Sequence, residues 1–336
     1  ARTKEKLQSE FAGRVVLEEL KVTPEELEHA PVFYDNPWFV KPFEFLMQLV
    51  RPPKYMEIDP SPLMAIFFPL FFGIMVGDIG YGLVILALAI VAKAKLKTMA
   101  WVRDLGNIMI ISSIPTIIFG FIFGEFFGDF GESMGWIRPI EVAGVEWNRM
   151  EAIIPLLLFV IALGAVHVFL GLTIGMVNAL TINSRKHLFE KIGMFGALVS
   201  LMLILGAAAG VVPGMILYVG AALMVVSLVL LISGGGMFGA IELFSAVGNI
   251  MSYARLMAIG MASVVLAVVA NKMAGALGVL LIGLVAALLL HALNVVLAMF
   301  SPSIHSLRLH MVEFFSKFYE GGGTPYRPFK RSEKNL

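Results

Sequence analysis

An arginine inside a long apolar segment is the residue of this chain best placed to do chemistry. Arg255 lies within residues 250–260, and the sequence on both sides is apolar. A permanent charge near the middle of a membrane-spanning helix costs roughly 2.5–3.5 kcal/mol on insertion scales. Arginine stays protonated in proteins, so it cannot avoid this cost by becoming neutral. The charge must therefore face protein or water, and we predict that it has a functional role.

Polar residues recur at helical spacing on the last two apolar segments, and a second arginine is among them. Segment 276–318 carries one stripe, interrupted at Ala298, whose members are His291, Asn294, Ser301, His305 and Arg308. Segment 238–272 carries another, with Arg255 at its edge, whose members are Glu242, Ser245, Asn249, Ser252 and Ser263. Two such stripes on adjacent helices could enclose an aqueous path, so the pattern indicates ion movement.

Three members of these stripes could pass protons: Glu242, His291 and His305. Histidine titrates near neutrality, and a desolvated carboxyl group can be brought close to it. The arginines cannot pass protons, but they can hold a carboxylate ionised. A simpler interpretation stays open, because buried Ser and Asn residues commonly form interhelical hydrogen bonds. Glu242 could equally neutralise a basic residue near the membrane surface.

The composition predicts an all-α polytopic membrane protein. The 336 residues are 59% hydrophobic with a mean hydropathy of +0.88, whereas soluble domains are about 45–50% apolar. The absence of cysteine excludes disulfides and cysteine-based metal sites. A net charge of +1 gives no indication of nucleic-acid binding. The sequence has no nucleotide-binding or hydrolase motif, so we expect no cofactor and no ATP site in this chain.

About eight transmembrane helices are predicted from the apolar segments, each near the length that spans a bilayer. They are 62–77, 80–96, 104–127, 150–182, 190–210, 213–233, 238–272 and 276–318. The first two are short, and their junction at 77–82 could be a broken region inside the membrane. The last two are too long for a perpendicular crossing, so we expect them to tilt.

Basic residues predict the orientation and the domain organisation. In the eight-span arrangement 20 of the 25 Lys and Arg residues fall on one side, which places both termini in the cytoplasm and the loop 125–149 outside. Residues 1–60 are interpreted as the cytoplasmic end of a truncated soluble N-terminal domain. Residues 61–318 form the predicted transmembrane ion-translocating domain, and 319–336 a cytoplasmic C-terminal tail.

Several segments resemble the membrane subunit of rotary V-type and archaeal A-type ATPases, called subunit a or subunit I. The segments are NIMSYARLMAI at 249–259, HSLRLHMVEFFSKFYEG at 305–321, GTPYRPF at 323–329, PSPLMAIFFP at 60–69 and GIMVGDIGYG at 73–82. The resemblance covers about residues 30 to 331, and the large soluble N-terminal half of the family is absent from this chain.

The resemblance implies a stator that lies against a rotating proteolipid c/K/L ring in a prokaryotic plasma membrane. Each ring subunit carries a membrane carboxylate, and two offset half-channels connect it to opposite sides. Arg255 and Arg308 match the two arginines of the family; Arg255 would pair with the ring carboxylate and block a direct shunt. The half-channel candidates are Glu242, Asn249, Ser252, His291, Asn294 and His305. The other implied partners are peripheral-stalk and central-stalk subunits and the lipid bilayer.

Three positions depart from the eukaryotic pattern and favour a prokaryotic member. Ala298 stands where eukaryotic members have glutamate, and Ser263 stands where they have histidine. Glu242 is one residue closer to Arg255 in the sequence than the corresponding eukaryotic glutamate is to its arginine. Protons are the expected cargo, with sodium as the alternative. A self-contained secondary transporter or channel is the alternative function, and a structural anchor is a third.

Overall fold

The computed structural model describes residues 10–11, 30–142, 144–276 and 280–326. The fold is almost entirely helical, which confirms the predicted all-α polytopic membrane protein. Over the described ranges, six helical segments are long and apolar enough to cross a membrane. They are Ala100–Phe123, Ile153–Thr181, Arg185–Ala208, Met215–Gly236, Ile241–Ala274 and Leu281–Lys317.

The helices follow the predicted segments closely. Their bounds are α1 Lys41–Met47, α2 Ser61–Val76, α3 Ile79–Lys95, α4 Ala100–Phe123, α5 Phe130–Ser133, α6 Ile153–Thr181, α7 Arg185–Ala208, α8 Met215–Met251, α9 Ala254–Ala276 and α10 Leu280–Arg308. The chain continues from α10 as a π-helix, Leu309–Phe314, and a 3₁₀ turn, Phe315–Lys317. Strands β1 (Pro31–Val32) and β4 (Thr324–Pro325) pair in parallel, and β2 (Glu141–Val142) and β3 (Val145–Glu146) form an antiparallel hairpin.

The first two predicted spans are separate short helices of 16 and 17 residues, joined at a sharp break. Gly77 ends α2 in the left-handed conformation (φ 45°), which an L side chain adopts at a cost. Asp78 then caps α3 and accepts a hydrogen bond from the Tyr81 amide at 2.9 Å.

Glycines bring α7 and α8 close together. A Cβ atom at Gly193 would lie 2.6 Å from the Leu231 amide nitrogen, and one at Gly234 would lie 2.5 Å from that of Glu190. Backbone approach of this kind is how membrane helices gain packing energy without a hydrophobic driving force. Gly236 departs from helical geometry (φ 64°, ψ −154°) and kinks α8 just beyond this contact.

The main apolar core surrounds the junction between α8 and α9. Phe71 and Met75 of α2 pack there with Leu172 of α6, and all three are buried with Tyr253 and Leu256. A second cluster joins α1, α2 and the end of the last helix around Phe43, Phe68 and Phe314. Tyr253 and Leu256 of the first cluster flank Arg255 in the sequence, so the backbone that carries this arginine is anchored in the core.

Both long C-terminal segments are less regular than the sequence predicted. Segment 238–272 is divided by a turn at Ser252 and Tyr253, between α8 and α9. Segment 276–318 changes from α-helix to π-helix immediately after Arg308. Apolar periodicity indicates which face of a segment is buried, but it does not locate a turn or a π-helix within that segment.

The two ends of the described chain meet on one side of the molecule. Lys54 Nζ donates to Glu320 Oε2 at 2.9 Å, and the Glu320 amide donates to Glu57 Oε1 at 3.0 Å. The bond from Lys54 lowers the pKa of the Glu320 carboxyl. Of the predicted terminal domains, residues 1–9, 12–29 and 327–336 lie outside the described residues, so that organisation stays a prediction.

Candidate functional site

A buried tyrosine fixes the turn that precedes Arg255. The Tyr253 hydroxyl and His167 Nδ1 are hydrogen-bonded at 2.6 Å, and both side chains are fully buried. Gly164 of α6 makes room, because a Cβ atom there would lie 2.4 Å from the tyrosine ring. His167 also stacks on Phe314 with ring centroids 3.9 Å apart. These contacts give His167 a structural role.

Arg255 forms an ion pair with a glutamate on the segment that follows α10. Its Nη1 atom lies 3.4 Å from Glu313 Oε1; the arginine side chain is 20% exposed and the glutamate 2%. Glu313 belongs to the π-helix and was not among the predicted site residues. Its position five residues beyond Arg308, among Phe and Met residues, was the available signal.

The second arginine occupies the surface of the last helix. Arg308 is exposed, at the end of α10. Arg255 and Arg308 both act electrostatically on His305, whose Nδ1 is buried without a hydrogen-bond partner in the described part of the chain. The structure therefore brings three predicted site residues and Glu313 into one charged layer, which we call the arginine layer.

A polar network lies on one side of the arginine layer. Ser263 Oγ donates to Asn294 Oδ1 at 3.2 Å, and Asn294 Nδ2 donates to the Ser263 carbonyl at 2.9 Å. This contact is where the two predicted polar stripes meet. Ser263 is eight residues from Arg255 on α9, about 12 Å along the helix axis.

The same network continues toward the loop after α4. His291 hydrogen-bonds the Tyr81 hydroxyl through Nδ1 at 2.8 Å and Asn271 Oδ1 through Nε2 at 3.0 Å. Asn271 Nδ2 in turn donates to Asp129 Oδ1 at 2.6 Å. Tyr81, Asn271 and Asp129 were not among the predicted site residues, because single polar residues on three different elements form no pattern in the sequence. Together with Ser263, Asn294 and His291 they form what we call the 291 network.

A second polar network lies on the other side of the arginine layer. Glu242 Oε1 is 3.7 Å from Lys191 Nζ. Asn249, in the amide orientation that satisfies both of its groups, donates to the Ser245 carbonyl at 3.1 Å and accepts from Lys317 Nζ at 3.3 Å. The side chain of Lys317 is only 2% exposed. Glu242, Asn249, Lys191 and Lys317 form what we call the 242 network.

An open cavity of about 640 Å³ adjoins the 242 network. Its walls come from α6, α7, the loop after α1 and the 3₁₀ turn, and they include Lys54, Glu190, Lys191, Lys317 and Glu320. The cavity gives solvent a way to the buried ammonium of Lys317.

Two of the predicted site residues have local roles. Ser252 Oγ donates to the Gly248 carbonyl one turn earlier, at 2.9 Å. Glu242 faces a lysine, as expected if it neutralises a basic residue; this position also belongs to a polar network, so both interpretations still apply. Buried Ala298 stands on α10 between Asn294 and His305 and packs with Phe72 and Ala267. This apolar contact separates the 291 network from the arginine layer.

A different arginine, near the end of α2, is saturated: each of its three guanidinium nitrogens donates a hydrogen bond. Arg149 donates to Glu125 through Nε at 2.8 Å and through Nη2. It also donates to the carbonyl oxygens of Met75, Val76 and Gly77 at 2.9–3.1 Å. Arg149 and Glu125 lie at the two ends of the predicted outer loop, and both side chains are buried within the protein. In the described ranges, no three His, Asp or Glu side chains converge to hold a metal ion.

The last part of the chain matches a known family. Residues 239–331 match the V-type ATPase 116 kDa subunit family. This match contains both arginines, Glu313 and the residues of the 291 network that lie on α9 and α10.

Similar proteins include three archaeal A-type ATP synthase subunits I. The Archaeoglobus fulgidus protein is 35% identical, over 94% of this chain and 55% of its own length. Those of Methanocaldococcus jannaschii and Pyrococcus horikoshii are each 32% identical, over 94% and 91% of this chain and 51% and 48% of their own lengths. The chain therefore spans about half the length of the curated relatives it matches.

The family match falls on the segments that carry the arginine layer, and the relatives align over nearly all of the membrane helices. The resemblance predicted from the sequence is confirmed on both counts. Over nearly all of its length, this multi-pass membrane chain is similar to about half of each of these A-type ATP synthase subunits I, and its last part matches the V-type ATPase 116 kDa subunit family.

Proposed function

We propose that this chain is the ion-translocating stator of a rotary ATPase and forms two offset half-channels against a proteolipid ring. The observation that carries the proposal is the arrangement of polar residues: the 242 network and the 291 network lie on opposite sides of the arginine layer. Protons are the proposed cargo. ATP hydrolysis or synthesis takes place in other subunits, and stalk subunits hold the stator in place.

The proposed route uses each network as an aqueous access from one side. The 291 network reaches Asp129 in the loop that we assign to the outside, and the 242 network reaches the cavity that we assign to the cytoplasm. Neither network crosses the arginine layer, so an ion has to be carried from one to the other. A carboxylate on the rotating ring does this, and Arg255 holds that carboxylate ionised as it passes.

The proposed ring-binding surface is an apolar face of α9 and α10. On α10 the exposed side chains fall at helical spacing: Leu289, Leu293, Val296, Phe300 and Ile304. Val265 and Val269 are exposed on the adjacent α9. Arg308 continues the row on α10, and Arg255 is partly exposed. A face that is apolar except for arginine suits a ring whose only membrane charge is negative.

The test is ATP-driven proton uptake into vesicles that hold the whole complex. We expect Arg255→Ala to abolish uptake while the complex still assembles, because the ring carboxylate loses its counter-ion. Lys272→Ala is the control, since Lys272 is an exposed cation on the same helix. Uptake at the wild-type rate in Arg255→Ala would overturn the proposal in favour of a structural anchor.

The same vesicles separate the stator from a self-contained transporter. The purified chain alone should give no proton flux under an imposed gradient, because each network ends at the arginine layer. Flux through the isolated chain that is lost in Arg255→Ala would establish the transporter function instead.

A further inference from the structure

Glu313 is a buried carboxylate placed to compete for Arg255. Among the described residues it is the carboxylate that lies within ion-pair distance of that arginine, at 3.4 Å. In the proposed function, Arg255 pairs with a carboxylate on the rotating ring. It needs another partner during the time when no ring carboxylate is beside it. An ionised side chain left alone away from water is strongly disfavoured, so a second partner is needed.

The contact between Arg255 and Glu313 is loose. Arg255 Nη1 has no hydrogen bond, and neither has the second carboxylate oxygen of Glu313, within the described residues. Arg149, by contrast, donates to two carboxylate oxygens and three carbonyl oxygens. A saturated arginine is fixed in place, whereas one held by a single ion pair can exchange partners at small cost.

Access to the pair is one-sided. The Arg255 side chain is ten times more exposed than that of Glu313, so an incoming carboxylate can reach the arginine but not the glutamate. Arg308 also acts electrostatically on Glu313. When Arg255 turns toward the ring, Glu313 keeps a cationic neighbour and the total charge of the layer is unchanged.

We propose that Glu313 is the resting counter-ion of Arg255 and gives the arginine up to each ring carboxylate that arrives. The inference rests on the proposed function. The π-helix makes the pairing possible. Its extra residue per turn rotates Glu313 away from the direction it would have if α10 continued as a regular α-helix. Glu313 is thus a positioning residue that limits how long Arg255 holds the ring.

The experiment compares Glu313→Gln with wild type in vesicles that hold the whole complex. We expect the maximal rates of proton uptake and ATP hydrolysis to fall together, on the order of tenfold, which corresponds to one charge-assisted contact. The number of protons moved per ATP should stay unchanged, because both networks are intact. Glu313→Asp should recover part of the rate. Glu146→Gln, on the exposed β hairpin, is the control and should pump at the wild-type rate.

A second measurement tests the pair itself. Arg255→Gln strands the buried Glu313, so the complex should unfold at a lower temperature, and Arg255→Gln with Glu313→Gln should regain stability. If Glu313→Gln pumps at the wild-type rate, or changes the number of protons per ATP, the inference is wrong. It is also wrong if Glu313→Gln prevents assembly and Arg255→Gln does not relieve the defect. Each of these results leaves the proposed function standing if Arg255→Ala still abolishes uptake.

Discussion

At the scale of single residues, the number of hydrogen bonds separates two kinds of buried arginine. Arg149 has carboxylate and carbonyl acceptors on all sides and is buried beneath Gly260, whose Cβ position lies 2.7 Å from Nη1. Arg255 has one ion pair and a partly exposed side chain. Because a saturated guanidinium has no capacity for a further ligand, we assign Arg149 to stability and Arg255 to function.

We expect Arg149→Met to lower the free energy of unfolding by about 3–5 kcal/mol. The variant leaves the Glu125 carboxylate and three carbonyl groups at the end of α2 without their donor, and breaking a buried pair costs that much. The measurement is thermal or denaturant unfolding of the purified chain in detergent. Arg138→Met, at an exposed position of the outer loop, is the matched control and should change stability by about 0.5 kcal/mol or less. Equal effects of the two variants would contradict the assignment.

At the scale of elements, the sequence predicted helices well and their irregularities poorly. Each predicted span contains a helix because hydropathy is a local property that the bilayer requires. The turn at Tyr253 and the π-helix at Glu313 depend on contacts with α2 and α6, which no local pattern contains. The candidate site was therefore found in part: Arg255, Arg308 and His305 by charge and spacing, but Glu313 only by its contact.

Close packing of α7 against α8 gives a test at this scale. We expect Gly193→Ala to destabilise the protein by about 1–3 kcal/mol, because the added methyl group meets backbone atoms of α8 that cannot move aside. Gly206→Ala on the same helix is the control. Its Cβ atom would find Val212 Cγ2 at 3.5 Å, an ordinary contact, so it should be neutral or slightly stabilising. The measurement is the free energy of unfolding of both variants in detergent. Similar values for the two would show that α7 can shift to accommodate the methyl group.

At the scale of the whole molecule, the orientation in the membrane determines which network serves which side. The positive-inside rule places the loop after α3 in the cytoplasm and the β hairpin outside. The 242 network would then open to the cytoplasm and the 291 network to the outside. An inverted chain would exchange the two roles without changing a single contact within the protein.

Single introduced cysteines can test this orientation directly, since the chain has no cysteine of its own. We expect Glu141→Cys, exposed on β2, to react with a membrane-impermeant maleimide added outside intact cells. Lys97→Cys, exposed between α3 and α4, should react only after the membrane is opened. The reverse pattern would invert the topology and assign the 242 network to the outer half-channel. Reaction of both positions in intact cells would place both loops outside. An even number of membrane crossings would then separate them, and the eight-span arrangement would have to be revised at α4.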